Sequence, residues 1–278
     1  MWCYTVLEQQ TSKSVEIMKH TVTFLLPLFM LFSSCTKVFE YSPHDTDVKS
    51  RGLNLISAAR ITQKTYSETD TLKIAVFADT HEEYNDLSDA IVSINSLPDI
   101  DFALCLGDVT VFGYEHEFQG YIDIIEKLRY PLLTVIGNHD YLSNGFTVYK
   151  RLFGDPNMSV ITGKYKFVLF DDVIWENNNR SPRYEWLRDE LADDAYINIV
   201  AAHLPPFTGE IGDLHRMVYN EIVNGSSAFM AMYGQFHYYN LEPYNGINNT
   251  LNVTAIDDRE YCLIELINDT AIIKRIKF

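Results

Sequence analysis

Residues 72–81 read LKIAVFADTH, an apolar run with one lysine that closes on the polar block Asp79-Thr80-His81. A continuous apolar run of this length is typical of a strand that is buried on both faces. The same arrangement recurs in DFALCLGD at residues 101–108 and in PLLTVIGNHD at residues 131–140. The three segments therefore predict three buried strands, each followed by polar residues.

Two stretches with helical spacing of their apolar residues separate these strands. They run from Asn85 to Leu97 and from Glu115 to Leu128, and Pro131 stops the second one. The order strand-helix-strand-helix-strand, with short links, predicts a mainly parallel sheet covered by helices. Further strands are predicted at residues 166–170 and 197–202, and residues 228–277 are strand-rich. We expect a second sheet packed on the first, which gives an α/β sandwich.

Polar side chains of the types that bind metals follow several of the predicted strands. In an open parallel sheet, ligands gather just beyond the carboxyl ends of the strands, so these side chains should meet on one rim. A single Asp or His after a strand is usually a turn former or a solvated residue, so the set matters more than any member. Carboxylate, amide and imidazole ligands together suit manganese, iron or zinc. The residues at these positions are Asp79, His81, Asp108, Asn138, His139, His203 and His237.

In chain order the blocks are D-x-H, G-D, G-N-H-D, H and G-x-x-H, and this order resembles the calcineurin-like metallophosphoesterase family. The resemblance covers residues 72–278. It implies an α/β sandwich with two divalent metal ions, typically manganese, iron or zinc, at the carboxyl ends of the strands. It also implies a metal-dependent phosphoric ester hydrolase, either a phosphatase or a phosphodiesterase, with a small phosphorylated substrate.

The resemblance implies a role for each of these residues. The implied ligands are Asp79, His81 and His237 for the first metal, Asn138 and His203 for the second, and Asp108 as a bridge between them. Two metals about 3.5–4 Å apart clamp a phosphoryl group and lower the pKa of a bridging water, and the resulting hydroxide would attack phosphorus in line. His139 would face the substrate as the general acid, and Asp140 would orient His139 through a hydrogen bond.

Gln235 departs from the family pattern, which has His at the matching position. Its amide oxygen can bind a metal, but it is a weaker donor than imidazole for zinc or iron. We therefore expect a weakened second metal site that favours harder ions such as manganese or magnesium, unless Gln235 serves adequately. The alternative function is an envelope-anchored binding protein that keeps the phosphoesterase fold with weak or lost turnover. The retained acid His139 argues against it, because a binding protein does not need an acid.

The N-terminus resembles an export signal of the bacterial lipoprotein type. Lys19 and His20 precede an apolar stretch at residues 22–32, which ends in Ser33-Ser34-Cys35. We expect translation to start at Met18, residues 1–34 to form an upstream extension and signal peptide, and Cys35 to carry a lipid anchor. The alternative is an ordinary cleaved signal with an incidental Cys. Either way the protein is expected in the cell envelope, and the lipid anchor would place it at a periplasmic or outer membrane surface.

Composition sets the remaining expectations. Residues 35–70 are polar and predict a tether in which residues 51–61 can pack on the body, and residues 71–278 form the metallophosphoesterase domain. The formal net charge of -16 argues against nucleic acid as a general partner, because no basic stripe is available for the phosphate backbone. Cys105 and Cys262 lie in apolar runs, which leaves either buried free thiols or a disulfide between them.

Overall fold

The computed structural model of the chain describes residues 42, 45–49, 51–65 and 71–278. The predicted signal peptide, the start at Met18 and the lipid anchor at Cys35 lie outside these residues. Within them, no helix is both long enough and apolar enough to cross a membrane.

The described chain contains strands and helices in the predicted alternation. The strands are β1 (Leu72–Phe77), β2 (Phe102–Cys105), β3 (Leu132–Thr134), β4 (Met158–Thr162), β5 (Tyr165–Leu169), β6 (Ile197–Ala201), β7 (Ala228–Tyr233), β8 (Asn240–Tyr244), β9 (Ile247–Asn252), β10 (Glu260–Ile267) and β11 (Thr270–Lys277). The α-helices are α1 (Leu53–Thr62), α2 (Tyr84–Ser96), α3 (Glu115–Ile125), α4 (Gly145–Leu152), α5 (Tyr184–Leu191) and α6 (Asp213–Asn224). A short 3₁₀ helix spans His139–Tyr141.

The strands form two mixed sheets. One has the order β11-β10-β1-β2-β3, and the other has the order β4-β5-β6-β7-β9-β8. In the first sheet β1, β2 and β3 run parallel, and in the second β5, β6, β7 and β9 run parallel. Antiparallel strands complete both sheets on the outside. The predicted two-sheet α/β sandwich is confirmed.

Three apolar layers hold the sandwich together. Ile74 and Val76 of β1 point into the layer between the two sheets, whereas Ala75 and Phe77 point into the layer under α2, α3 and α4. A third layer fills the space between the second sheet and helices α5 and α6. Because β1 is buried on both faces, it has no need of alternating polar residues, which explains its continuous apolar sequence.

Helix α1 covers the open edge of the first sheet, at β3. The Asn54 side chain pairs with this edge as a neighbouring strand would: Nδ2 donates to the Thr134 carbonyl at 2.8 Å, and Thr134 N–H donates to Oδ1 at 2.9 Å. The backbone N–H of Leu132 donates to Ser57 Oγ at 3.2 Å. Without the helix, the N–H groups of Leu132 and Thr134 would lack these partners. Helix α1, at residues 53–62, thus packs against this edge of the first sheet.

Replacing Asn54 by Ala should lower the free energy of unfolding by about 2–4 kcal/mol. Asn54 is buried, and its loss leaves the Thr134 N–H without a partner, which costs about 1–3 kcal/mol. It also removes one of two hydrogen bonds to the Thr134 carbonyl, which still accepts from the Tyr149 hydroxyl, at a cost of about 0.5–1.5 kcal/mol. Urea unfolding followed by circular dichroism measures the change. Leu55→Ala on the exposed side of the same helix is the control, with an expected change of under about 0.5 kcal/mol. Equal effects of the two substitutions would contradict the edge-covering role.

Both cysteines of the body are buried free thiols, which confirms the first of the two alternatives. Cys105 lies on β2 and Cys262 on β10, with β1 between these strands. Burial raises the pKa of Cys262 to about 12, with the nearby Glu260 carboxylate adding to the rise. The thiol therefore stays protonated and inert at neutral pH.

Candidate metal centre

The loops after β1, β2 and β3 are joined by hydrogen bonds at their polar blocks. Asp79 N–H donates to the Gly107 carbonyl and His81 N–H donates to the Asp108 carbonyl, both at 3.0 Å. The His139 N–H donates to Asp108 Oδ1 at 2.9 Å. These bonds bring the first three predicted blocks to one rim of the sheet.

The second sheet reaches the same rim through the loop after β7. Gln235 N–H lies 3.1 Å from each carboxylate oxygen of Asp79. His203, which follows β6, places Nε2 3.1 Å from Asp108 Oδ2. His237 Nε2 lies 3.5 Å from Asp79 Oδ1. Five strand-end loops from two sheets therefore meet at one place.

The ligand atoms at this rim form two sets. Within each set, all the atoms lie within 4.8 Å of one another. The first set is Asp79, His81 and His237, which are the residues expected at the first metal. The second set is Asp79, Asp108 and His203. Asp79 therefore reaches both sets, although the family resemblance assigns it to the first metal alone.

Three imidazoles are oriented in the same way by the backbone. Nδ1 of each ring lies within 2.9 Å of a carbonyl oxygen, and a carbonyl only accepts, so Nδ1 carries the proton. In the neutral ring Nε2 then holds the lone pair and is free to bind a metal or to take up a proton. The pairs are His81 with Thr110, His139 with Val111 and His203 with Leu106.

Five residues of the rim hold a left-handed backbone conformation. Only glycine adopts positive φ without cost, and such non-glycine residues are concentrated at functional sites. The surrounding hydrogen bonds hold these residues in place and aim their side chains. They are Asp79 (φ 50°), His81 (φ 42°), Asp108 (φ 54°), Gln235 (φ 71°) and His237 (φ 51°).

Asn138 carries an orphaned buried oxygen. The residue is 8% exposed, and its Oδ1 has no hydrogen-bond partner among the described residues. Its Nδ2 donates to Glu176 Oε1 at 3.3 Å. A buried acceptor without a partner costs about 1–3 kcal/mol, and this oxygen is the atom expected to bind the second metal. The residues present therefore fit a divalent cation.

Gln235 is half-buried, and the two ends of its side-chain amide contact two different residues. Oε1 lies 2.8 Å from His203 Nε2, and Nε2 donates to Glu210 Oε2 at 3.0 Å. The amide oxygen thus stands beside His203, at the position that the family pattern gives to a His. Glu210 lies in the loop between β6 and α6 and carried no signal in the sequence.

The family resemblance implies a hydrogen bond from the His139 ring to Asp140, but the hydrogen bonds of the Asp140 carboxylate go to other groups. Its Oδ1 accepts hydrogen bonds from Val109 N–H, Thr110 N–H and the Thr110 hydroxyl at 2.9–3.0 Å, and Oδ2 accepts from Gly137 N–H at 2.9 Å. The His139 ring is oriented by the Val111 carbonyl instead, at 2.7 Å. Asp140 is fully buried, and its hydrogen bonds connect the loop after β2 with the loop after β3.

The rim concentrates buried negative charge. Burial raises the pKa of Asp108, but the imidazoles of His203, His139 and His81 outweigh it and the pKa is lowered overall. Burial lowers the pKa of His203, but Asp108 and Asp79 outweigh it and the pKa lies well above its usual value. Buried carboxylates need positive charge beside them, which protonated imidazole or a bound cation supplies.

Asp172 is a supporting residue that the sequence did not reveal as such. Asp171 and Asp172 lie shortly after β5, as the other polar blocks follow their strands, and this placement was the available signal. The two oxygens of Asp172 accept from Leu204 N–H at 3.2 and 3.1 Å, which fixes the loop that carries His203. Burial raises the pKa of Asp172 to about 8.

Asp171 should make stability depend on pH. Burial raises its pKa to about 6, although the Tyr141 hydroxyl donates to it at 2.5 Å, whereas an unfolded Asp titrates near about 3.9. Because the folded pKa is the higher one, the contribution of Asp171 to stability falls as pH rises from about 4 to about 6 and is then constant. We therefore compare the free energy of unfolding of wild type with that of Asp171→Asn, both in chelator. The value for wild type minus the value for the variant should be about 1 kcal/mol larger at pH 5 than at pH 7.5. Urea unfolding at both pH values measures this difference, and a constant difference would contradict the raised pKa.

Comparison with known proteins identifies the family to which this chain is similar. Residues 72–223 match the family model described as calcineurin-like phosphoesterase. A curated relative, described as the uncharacterized metallophosphoesterase YkuE of Bacillus subtilis (strain 168), is 31% identical over 156 residues. That alignment spans 49% of this chain and 52% of the relative, or about half the length of each.

Solved structures share the fold at low sequence identity. A dimetal phosphatase from Danio rerio superposes with a TM-score of 0.58 at 11% identity, covering 74% of this chain and 97% of that chain. GAP50, described as the anchor in the inner membrane complex of Plasmodium, superposes with a TM-score of 0.59 at 12% identity, covering 74% of this chain and 84% of that chain. Identities this low show a common fold and nothing more specific.

Proposed function

This chain belongs to the calcineurin-like phosphoesterase family, and we propose that it is a metal-dependent hydrolase of phosphoric esters, either a phosphatase or a phosphodiesterase. The observation that carries the proposal is the convergence of five strand-end loops at one rim, where carboxylate and imidazole ligand atoms form two sets whose members lie within 4.8 Å of one another. The substrate would be a small phosphorylated molecule. A net charge of -16 disfavours nucleic acid as a general partner.

The residues of the rim divide into two ligand sets. We assign Asp79, His81 and His237 to the first metal, Asn138, His203 and Gln235 to the second, and Asp108 to both. When bound, divalent metal ions such as manganese, iron or zinc supply positive charge for phosphoryl oxygens and lower the pKa of water. The αL backbone of five rim residues supports the assignment, because it holds the donors in place before any ion binds.

His139 is assigned the role of general acid. Its Nδ1–H is held by the Val111 carbonyl, so Nε2 is the ring atom that would carry a proton to the leaving oxygen of the ester. The ring centroid lies 5.0 Å from that of His81, which keeps the acid beside the first ligand set. Asp140 supports this arrangement through the loops, since it accepts from Gly137 N–H, just before Asn138, and from Val109 N–H in the loop after β2.

The second candidate function is an envelope-anchored binding protein with weak or lost turnover. The observation that favours it is Gln235, a neutral amide in place of the family His. The fold does not decide between the two, because one protein with this fold, GAP50, is described as an anchor. The oriented His139 favours hydrolysis, because a binding role does not require a proton donor beside the ligand sets.

Metal removal and restoration test the proposed function. Chelator-treated protein should hydrolyse neither para-nitrophenyl phosphate nor bis(para-nitrophenyl) phosphate, and added manganese should restore at least one of these activities. Inert wild type, together with a Gln235→His variant that hydrolyses either ester, would favour the binding protein. The proposal would be contradicted if neither wild type nor Gln235→His hydrolysed either ester with manganese, iron or zinc.

We also propose that the protein is exported and attached to an envelope membrane through a lipid on Cys35. The support is the sequence of residues 18–35, with its basic start, short apolar core and terminal Cys. Expression with radiolabelled palmitate should label wild type and leave Cys35→Ser unlabelled. Labelling that survives in Cys35→Ser would contradict this attachment.

A further inference from the structure

Two of the residues assigned to the second metal, Asn138 and Gln235, bind through an amide. An amide has one end that can ligate a metal, the oxygen, and one end that cannot, the NH₂ group. A rotation of half a turn about the last side-chain bond exchanges the two ends at little cost in shape. A site built on amides therefore needs a device that fixes which end faces the metal.

Each of these amides donates its NH₂ group to a glutamate. Asn138 Nδ2 lies 3.3 Å from Glu176 Oε1, and Gln235 Nε2 lies 3.0 Å from Glu210 Oε2. The opposite ends face the rim: the Asn138 oxygen is buried without a partner among the described residues, and Gln235 Oε1 lies 2.8 Å from His203 Nε2. The same arrangement thus occurs twice, on two loops from different sheets.

We propose that Glu176 and Glu210 are positioning residues for the second metal site. Each carboxylate holds the NH₂ group of one amide, so that the amide oxygen is the end that faces the metal ion. The inference rests on the metal sites of the proposed function and adds two residues to them. The ligand concerned is a hard divalent cation such as manganese or magnesium, because the donors that are fixed in this way are oxygens.

The physical reason is that an ionised carboxylate only accepts hydrogen bonds. If the Gln235 amide were turned around, its oxygen would face the Glu210 carboxylate, and two acceptors would meet without a proton between them. The NH₂ group would then point at His203, and a metal cannot bind to it. Glu210 therefore disfavours the unproductive orientation, and Glu176 does the same for Asn138.

The two glutamates also bring charge to this part of the rim. Both are partly buried, and each contacts an amide assigned to the second metal. They add negative charge beside a site where a neutral amide stands in place of imidazole. Charge next to a ligand shell strengthens cation binding, and partners that orient metal ligands typically change metal affinity by about 10–100-fold.

Metal titration of chelator-treated protein tests this role without using turnover. Isothermal titration calorimetry with manganese chloride should resolve a first and a second equivalent in wild type. Glu176→Ala and Glu210→Ala should each weaken the second equivalent by about 10-fold or more. The first equivalent should be unchanged, since its ligands, Asp79, His81 and His237, contact neither glutamate, and it reports that the variants are folded.

Glu185→Ala is the matched control, because Glu185 is exposed on α5 and its loss removes one negative charge elsewhere. Glu210→Gln is a second variant, which keeps the shape without enforcing an acceptor and should also weaken the second equivalent. The proposal would be overturned if Glu176→Ala, Glu210→Ala and Glu210→Gln all bound the second manganese ion with an affinity within about threefold of wild type. If the variants show the predicted changes in manganese affinity but wild type hydrolyses no ester, the positioning role stands and only the proposed function is contradicted.

Discussion

Replacing Asp108 by Asn should lower the rate of phosphoester hydrolysis by at least about 10²–10³-fold. Asp108 uses both oxygens: Oδ1 accepts from His139 N–H at 2.9 Å, and Oδ2 lies 3.1 Å from His203 Nε2. An Asn of the same shape keeps one oxygen but places an NH₂ group where the second must bind a metal. The expected loss is therefore chemical, with little change in packing.

Manganese-dependent hydrolysis of para-nitrophenyl phosphate and its diester measures this loss. Asp189→Asn, an exposed residue of α5, is the control and should retain the wild-type rate. Thermal unfolding of both variants would show whether the Asp108 variant keeps its fold. A folded Asp108→Asn protein with wild-type activity would exclude the bridging role of Asp108.

Replacing Gly137 by Ala should destabilise the protein and abolish hydrolysis. A methyl group at this position would overlap the carboxylate and the backbone nitrogen of Asp108. Neither the carboxylate nor the backbone nitrogen can move away without breaking the contact between the loops after β2 and β3. We expect a loss of about 1–3 kcal/mol in the free energy of unfolding, which is typical of overpacking, together with loss of the second manganese equivalent.

Gly209→Ala is the control for this substitution, because nothing lies within 4 Å of a methyl group added there. It should unfold at the wild-type temperature and bind manganese as wild type does. Urea unfolding and metal titration of the two glycine variants give the comparison. A Gly137→Ala protein with wild-type stability and metal binding would show that the loops do not approach as closely as described.

The strands and the order of the polar blocks could be predicted because both follow from local sequence. Strands such as β1 and β2 are buried on both faces, so their apolar runs are continuous and their ends are marked by the first Asp. The direction of parallel strands then places Asp79, Asp108 and Asn138 on one rim without knowledge of any contact. The pairing of β1 with β10, about 190 residues later, depends on tertiary packing and has no such local signature.

The residues that hold the rim in place were harder to predict from sequence. Glu176 and Glu210 lie in irregular loops, where no periodicity indicates which way a side chain points. Asp140 was assigned to the His139 ring from the family resemblance, but its oxygens accept from the backbone of a different loop. Asn54 likewise completes an edge strand 80 residues away. Each of these roles depends on a three-dimensional contact between distant segments.

Anomalous diffraction from crystals grown with manganese would test the central claim most directly. We predict two anomalous peaks at the rim, one bounded by Asp79, His81 and His237 and the other by Asn138, His203 and Gln235, with Asp108 between them. The Gln235 and Asn138 oxygens should face the second peak, with their NH₂ groups on Glu210 and Glu176. A manganese-soaked crystal with no anomalous peak at the rim, or with a peak at the first set alone, would contradict a two-metal centre.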